Sequence, residues 1–253
     1  MLRATLLGPL STIKSQTTRR ITQRNMQAQA AAGLPSELHP RAATVLTFWF
    51  GPDFPKQVPH DVHSAEARKW FFGGTAVDDE IRELFADEVG AVIGGGLTEW
   101  RTTPLGKLAR IIVADQFTRN VHRGSPKAYA GDPIALQEAL GMMEAGEDKQ
   151  LRAIERSFAY LPLEHSESLD MQDSAVAAFE ELFEDVRARS GLPEDGGAFG
   201  AVVGQFEQFK DFAVKHREVV ARWGRFPGRN QALGRESTPE ETRGLADGSI
   251  PKF

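Results

Sequence analysis

The chain has 253 residues, of which 41% are hydrophobic, and its formal net charge is −5. This length and apolar content suffice for a sizeable buried core in one large domain or two small ones. Cysteine is absent, which excludes disulfides, thiolate metal sites and cysteine nucleophiles. No run approaches the roughly 18 consecutive apolar residues of a membrane-spanning helix. We therefore expect a soluble protein that has no membrane partner.

The first 36 residues contain five basic side chains, several Ser and Thr, and no acid before Glu37. This composition is typical of an organellar transit peptide, and we favour that interpretation over a disordered leader. We expect import into the mitochondrion, with the chloroplast as the alternative, and Met26 offers an internal start for a cytosolic form. The rest of the chain retains 25 Lys and Arg against 35 Asp and Glu, a net charge near −10. Such a field repels nucleic acid, which is therefore an unfavourable partner.

Apolar residues recur at helical spacing through residues 40–247, and no strand pattern accompanies them. The spacing predicts helices at Ala42–Gly51, Val62–Phe72, Asp78–Ile93, Leu105–Arg123, from Asp132 to near Gly146, Lys149–Tyr160, Ser166–Arg189, Phe199–Trp223 and from Thr238 to Ala246. The helix from Asp132 has an apolar stripe of Leu136, Leu140 and Met143, and Pro162 is expected to break the chain after Tyr160. Some nine helices joined by short turns predict one all-α domain, with antiparallel helical pairs stacked into a right-handed array.

The central helix is bounded by clear signals. Thr103 can cap it, Pro104 occupies its first position, and Gly124 can close it in a left-handed conformation. Its apolar stripe runs from Leu105 through Leu108, Ile111 and Ile112, and continues onto Asp115 and Arg119. A charged pair therefore faces the core, where desolvated ions need further hydrogen bonds. This irregularity predicts the edge of a buried polar site.

Two later helices repeat the irregularity. The stripe of Leu169, Gln172, Val176, Phe179, Phe183 and Val186 extends back to His165, and His216 lies in the stripe of the Phe199–Trp223 helix. If these faces share one core, His165, His216, Asp115 and Glu167 are candidate catalytic acids and bases. The candidate ligand-binding residues are Arg119, Asn120, Arg123, Gln172, Arg225, Arg229, Asn230 and Arg235, because guanidinium groups form forks that suit a carboxylate or phosphate.

Four strings resemble one known family. They are VLTFWFG (Val45 to Gly51), LARIIVADQFTRNVHRG (Leu108 to Gly124), FAYLPLEHSE (Phe158 to Glu167) with Gln172 after it, and HREVVARWGRFPGRNQALGRESTPEE (His216 to Glu241). In order and content they resemble the bacterial and organellar family called domain of unknown function 924, over about Pro40 to Leu245. Trp223 stands where this resemblance leads us to expect Phe. The resemblance implies a tetratricopeptide-like α-α superhelix and implies no reaction.

Two functions fit these features. The first is an enzyme or binding protein for a small anionic metabolite, and the second is an interaction scaffold that holds a partner protein in a helical groove, with the polar residues as helix ties. No Walker loop, dinucleotide fingerprint or GxSxG motif occurs, so no cofactor is predicted. His60 with His63, or His165 with Glu167 and His216, are weaker metal alternatives, and we predict no metal site.

Overall fold

A computed structural model describes residues 34–54, 65–189, 197–251 and 253 of the chain. The α-helices are α1 (Pro40–Phe50), α2 (Ala65–Phe72), α3 (Gly74–Ile93), α4 (Pro104–Ile111, Ile112–Phe117 and Thr118–Val121, in one continuous run), α5 (Asp132–Glu144), α6 (Ala153–Glu164), α7 (Leu169–Arg189), α8 (Gly197–Trp223), α9 (Asn230–Leu233) and α10 (Pro239–Asp247). Short 3₁₀ turns lie at Thr98–Thr102, Pro126–Tyr129, Asp148–Gln150 and Pro227–Arg229. No strand occurs within these described ranges, so the all-α prediction is confirmed.

Helices that follow one another in the chain pack together, as α3 does on α4, α6 on α7 and α7 on α8. Their buried apolar residues form one core that extends from α1 to α8. Trp49 lies at its centre, edge-on to Phe117 at 5.4 Å and to Phe158 at 5.7 Å between ring centroids. Such aromatic pairs each contribute about 0.5–1.5 kcal/mol beyond area burial. The core therefore holds α1, α4 and α6 together, while the right-handed stacking of helical pairs stays a prediction.

The signals that bound α4 are confirmed. The Thr103 side chain accepts a hydrogen bond from the amide of Gly106, Pro104 is the first helical residue, and Gly124 has a φ of 78°. The interior of α4 differs from the expected uniform helix, because Ile112–Phe117 is a π-helical segment. Segments of this kind are short and frequently occur at functional sites. This one contains Asp115.

Four expectations about element boundaries and faces were wrong. Pro162 lies inside α6, which begins at Ala153 and continues to Glu164, because Leu163 and its neighbours are buried in the core. In α5 the fully buried apolar residues are Ala135, Ala139 and Met142. Leu136 and Met143 of the expected stripe are partly buried against the core, so the expectation fails at Leu140, which is 38% exposed. Leu169 also is exposed, although it continues the stripe of α7. The third helix begins at Gly74, four residues before the expected start at Asp78.

Several sequence predictions concern residues outside the described ranges. These are most of the transit peptide, the start of the second helix at Val62, and the histidine pair His60 and His63. The transit peptide and the mitochondrial location stay predictions. Within the described residues, no helix combines the length and hydropathy needed to span a bilayer.

Candidate functional site

The site is built around the carboxylate of Asp115, which is 1% exposed. Its Oδ1 accepts hydrogen bonds from Arg119 at 2.8 Å and from Nδ1 of His165 at 2.8 Å, and Gln116 donates to Oδ2 at 2.5 Å. Burial raises the pKa of Asp115, but Arg119 and His165 outweigh that effect and hold the pKa below its usual range. The Asp115 and Arg119 pair expected from their spacing of four residues is therefore confirmed, and Asp115 is ionised at neutral pH.

His165 follows the last residue of α6 and faces the π-helical segment. An ionised carboxylate can only accept, so the hydrogen lies on Nδ1 and the lone pair on Nε2. Nε2 makes no hydrogen bond to any residue in the described part of the chain, and the side chain is 15% exposed. Burial lowers the pKa of His165, and Asp115 offsets this only in part. A neutral imidazole held by a carboxylate, with its second nitrogen free, is the arrangement of a general base.

We expect His165 to be a neutral imidazole with its hydrogen on Nδ1 at pH 7, and to titrate below its ordinary value of 6.5. Long-range ¹H–¹⁵N NMR spectra of the imidazole rings measure both the tautomer and the titration. The ring signals that disappear in His165→Gln assign the residue. An Nε2–H tautomer or a protonated ring at pH 7 would contradict the proposed role of Asp115.

Asp132, the first residue of α5, lies between two arginines. Arg119 donates to its Oδ2 at 3.1 Å and approaches Oδ1 at 3.0 Å, and a nitrogen of Arg229 lies 3.6 Å from Oδ2. Both guanidinium groups also lie over the ring of Tyr129, at 5.7 Å for Arg119 and 5.0 Å for Arg229. We call Asp115, Arg119, Asp132, His165 and Arg229 the Asp115 cluster.

The Asp115 cluster extends from the core to the surface. The side chains of Arg119 and Asp132 are 20% and 22% exposed, whereas that of Arg229 is 7% exposed. Arg229 lies 4.3 Å from the ring centroid of Phe226 and donates to the backbone oxygen of His165 at 2.9 Å. Burial and the charge of Arg119 lower the pKa of Arg229 without removing its charge. The cluster is therefore closed at Arg229 and reaches solvent at Arg119 and Asp132.

His216 forms a neighbouring pair with Glu164, both of them buried. Its Nδ1 lies 2.8 Å from the backbone oxygen of Phe212 and 2.9 Å from Oε1 of Glu164. The ring lies 6.1 Å from that of His165, and Phe253 stacks on it at 3.5 Å. His216 is thus close to the Asp115 cluster but is covered by an aromatic ring, so we do not assign it the proton transfer.

Glu167 and the arginine-rich segment have other partners. Glu167 accepts from Arg235 at 2.6 and 2.9 Å and from the amide of Phe226 at 2.8 Å. Burial raises the pKa of Glu167, and these hydrogen bonds more than compensate and lower it. Arg225 donates to both oxygens of Glu241, at 2.8 Å each. These contacts indicate that Glu167, Arg225 and Arg235 attach the segment after α8 to its neighbours.

Four further predicted residues also bind elsewhere. Asn120 and Arg123 donate to Asp78 of α3, at 2.8 Å for Asn120 and 2.5 and 2.7 Å for Arg123. Gln172 donates to the backbone oxygens of Glu164 and Ser166, at 2.6 Å each. Asn230 donates to Ser237 and accepts from Arg235, both at 3.0 Å. Of the eight predicted ligand-binding residues, Arg119 and Arg229 are the two that the structure brings into the Asp115 cluster.

The sequence interpretation missed Asp132 and Tyr129. Asp132 precedes a proline, and the pair was assigned only as a helix start. No signal in the sequence connects Asp132 to Arg119, because the conformation of the turn between α4 and α5 determines whether the two side chains meet.

The metal alternative at His165, Glu167 and His216 has no support, since no group of three such ligands in the described residues could hold a metal ion.

The fold and site together define an all-α domain with an aspartate, histidine and arginine cluster that is buried at Asp115 and reaches solvent at Arg119 and Asp132. The family described as "Bacterial protein of unknown function (DUF924)" matches residues 45–249, and the chain belongs to this family. A solved protein of unknown function from Agrobacterium tumefaciens is similar, with 30% sequence identity and a TM-score of 0.63 over 82% of this chain and 98% of that one. No curated protein matches the chain. The resemblance seen in the sequence motifs is thereby confirmed.

Proposed function

We propose that the Asp115 cluster binds a small anionic metabolite and exchanges a proton with it through His165. The observation that carries this proposal is the free Nε2 of His165, on a ring that Asp115 holds in place. Arg119 donates to the same carboxylate, and Arg229 donates to the backbone oxygen of His165. The ligand anion would lie against Arg119 and Arg229, above the ring of Tyr129. Guanidinium groups suit this role because they stay charged and donate in a fixed fork.

The proton transfer follows from the same geometry. A donor group on the bound ligand gives its proton to Nε2, and the imidazolium that forms is stabilised by the ionised Asp115 on its other side. Returning that proton to another atom of the ligand regenerates the neutral ring. The cluster thus supports acid–base chemistry on an anion, whereas a purely structural role would not require Nε2 to stay free.

We expect a small carboxylate or phosphate anion to raise the melting temperature of the wild-type protein. At a ligand concentration of about 100 Kd, binding stabilises the folded state by about 2.7 kcal/mol, which corresponds to roughly 5–10 °C for a domain of this size. Arg229→Ala should abolish the shift, because it removes one of the two anion-binding forks. Differential scanning fluorimetry over a panel of both ligand classes makes the measurement.

Arg222→Ala is the matched control, because Arg222 is an exposed arginine that is paired with Glu240 at 2.9 Å and lies outside the cluster. It should retain the full ligand shift. A shift of equal size in Arg229→Ala and in wild type would remove Arg229 from the site. Absence of any shift in wild type across the panel would count against the proposed function itself.

A further inference from the structure

The charges of the Asp115 cluster restrict which anion it can hold. Two guanidinium groups, Arg119 and Arg229, lie opposite two carboxylates, Asp115 and Asp132, while His165 is neutral. The cluster is therefore balanced before any ligand enters. A further negative charge placed there would be unpaired in a desolvated setting, which is strongly unfavourable.

Asp132 is the group that can change this balance. Its carboxylate lies between the two arginines, at 3.0 Å from Arg119 and 3.6 Å from Arg229, on the same side where the ligand anion would approach. Asp115 is engaged by three donors and is sealed in the core, whereas Asp132 is 22% exposed. The ligand must therefore compete with Asp132 for the guanidinium donors, rather than with Asp115.

We infer that the site takes up a monoanion, a small carboxylate, together with one proton that goes to Asp132. Protonation of Asp132 removes its ion pairs with Arg119 and Arg229 and leaves the cluster with one net positive charge. A single carboxylate restores neutrality, whereas a phosphate dianion would leave one negative charge unmatched. This inference rests on the proposed function and adds the ligand class and its coupling to pH.

The groups around Asp132 are consistent with this exchange. Arg119 and Asp115 face it from α4, Arg229 from the 3₁₀ turn before α9, and Tyr129 lies beside both arginines. Burial raises the pKa of Asp132 to about 6, against the opposing effect of Arg119 and with the support of the Asp115 charge. Asp132 is thus ionised at pH 7, but a proton can be added at a modest free-energy cost.

The experiment measures acetate and inorganic phosphate binding by isothermal titration calorimetry between pH 5.5 and 8, in two buffers with different ionisation enthalpies. We expect the acetate Kd to be constant below about pH 6 and to rise about tenfold per unit between pH 7 and 8, with uptake of about one proton. Titration of His165 does not explain a change above pH 7, because burial keeps its pKa below 6.5. Acetate should bind more tightly than phosphate at pH 8.

Asp132→Asn is the decisive variant, because it is isosteric and mimics the protonated acid. Its acetate Kd should stay within about twofold from pH 7 to 8, and at pH 8 it should be about a hundredfold below that of wild type, since the wild-type site is two units above the pKa of Asp132. If this variant does not fold, the number of protons that wild type takes up on binding acetate tests the inference without it. Acetate binding without proton uptake, or tighter binding of phosphate than acetate at pH 8, would overturn the inference alone. Failure of wild type and Asp132→Asn to bind either anion at any pH would overturn the proposed function.

Discussion

Replacing Asp115 with alanine is expected to destabilise the protein by about 3–5 kcal/mol, because it removes a carboxylate that pairs with Arg119 and accepts from His165 in the core. Arg119 would lose both a carboxylate oxygen at 2.8 Å and part of its compensation for burial, and His165 would lose its acceptor. Urea unfolding followed by circular dichroism measures the difference, as a lower midpoint at an unchanged slope.

Asp79→Ala is the control, because Asp79 also pairs with an arginine on its own helix but is exposed. Its side chain is 75% exposed and that of its partner Arg82 is 47% exposed. Exposed pairs of this kind contribute little, so a change within about 0.5 kcal/mol is expected. Equal losses in Asp115→Ala and Asp79→Ala would show that Asp115 does not hold the cluster together.

The effect of Asp115→Ala should also depend on pH. The pKa of Asp115 in the folded protein lies below its ordinary value of 3.8, so its stabilising contribution is complete above that value and declines as the pH falls toward the folded pKa. The stability gap between wild type and Asp115→Ala should therefore be full at pH 7 and narrow below about pH 4. A gap that widened on acidification would contradict this assignment.

Gly131→Ala is expected to destabilise the protein by about 1–3 kcal/mol or more, because a methyl group has no space at this position. A Cβ at Gly131 would lie 2.0 Å from the backbone oxygen of Ala114, in the π-helical segment of α4. One backbone must move, and both carry residues of the Asp115 cluster, Asp115 and Asp132. We expect a lower urea midpoint together with weakened anion binding.

Gly141→Ala is the matched control, within the helix α5 that Gly131 precedes. A Cβ there meets no atom within 4 Å, and the residue is exposed. Because alanine has the higher helix propensity, this change should stabilise the protein by about 0.5–1 kcal/mol. If Gly131→Ala had the same sign and size, the close approach of α5 to α4 would not be needed to position Asp132.

The misjudged face of α5 has the same physical origin. Its sequence spacing favours Leu136 and Leu140 as buried residues, but Ala135 and Ala139 are fully buried, Leu136 is partly buried and Leu140 is exposed. The small side chains of Ala135 and Ala139 permit α5 to lie close to α4, as Gly131 does at the start of the helix. Glu138 is buried beside them because Arg110 donates to it at 2.5 Å. Hydropathy periodicity predicted the helix but not which of its faces is buried. The buried face includes the charged residue Glu138, paired with Arg110, where the pattern leads one to expect an apolar residue.

The helical class, the bounds of α4 and the inward-facing pair of Asp115 and Arg119 could be predicted from the sequence, because capping and i,i+4 spacing are local properties of a helix. That the polar groups of three helices share one core was a hypothesis at that point. The packed fold was needed to show that His165 meets Asp115 from 50 residues away, that Asp132 lies between Arg119 and Arg229, and that Glu167 belongs to a separate contact. The reason is that these partners are chosen by how α4, α5 and α6 pack, and no local pattern records which acid lies nearest a buried arginine.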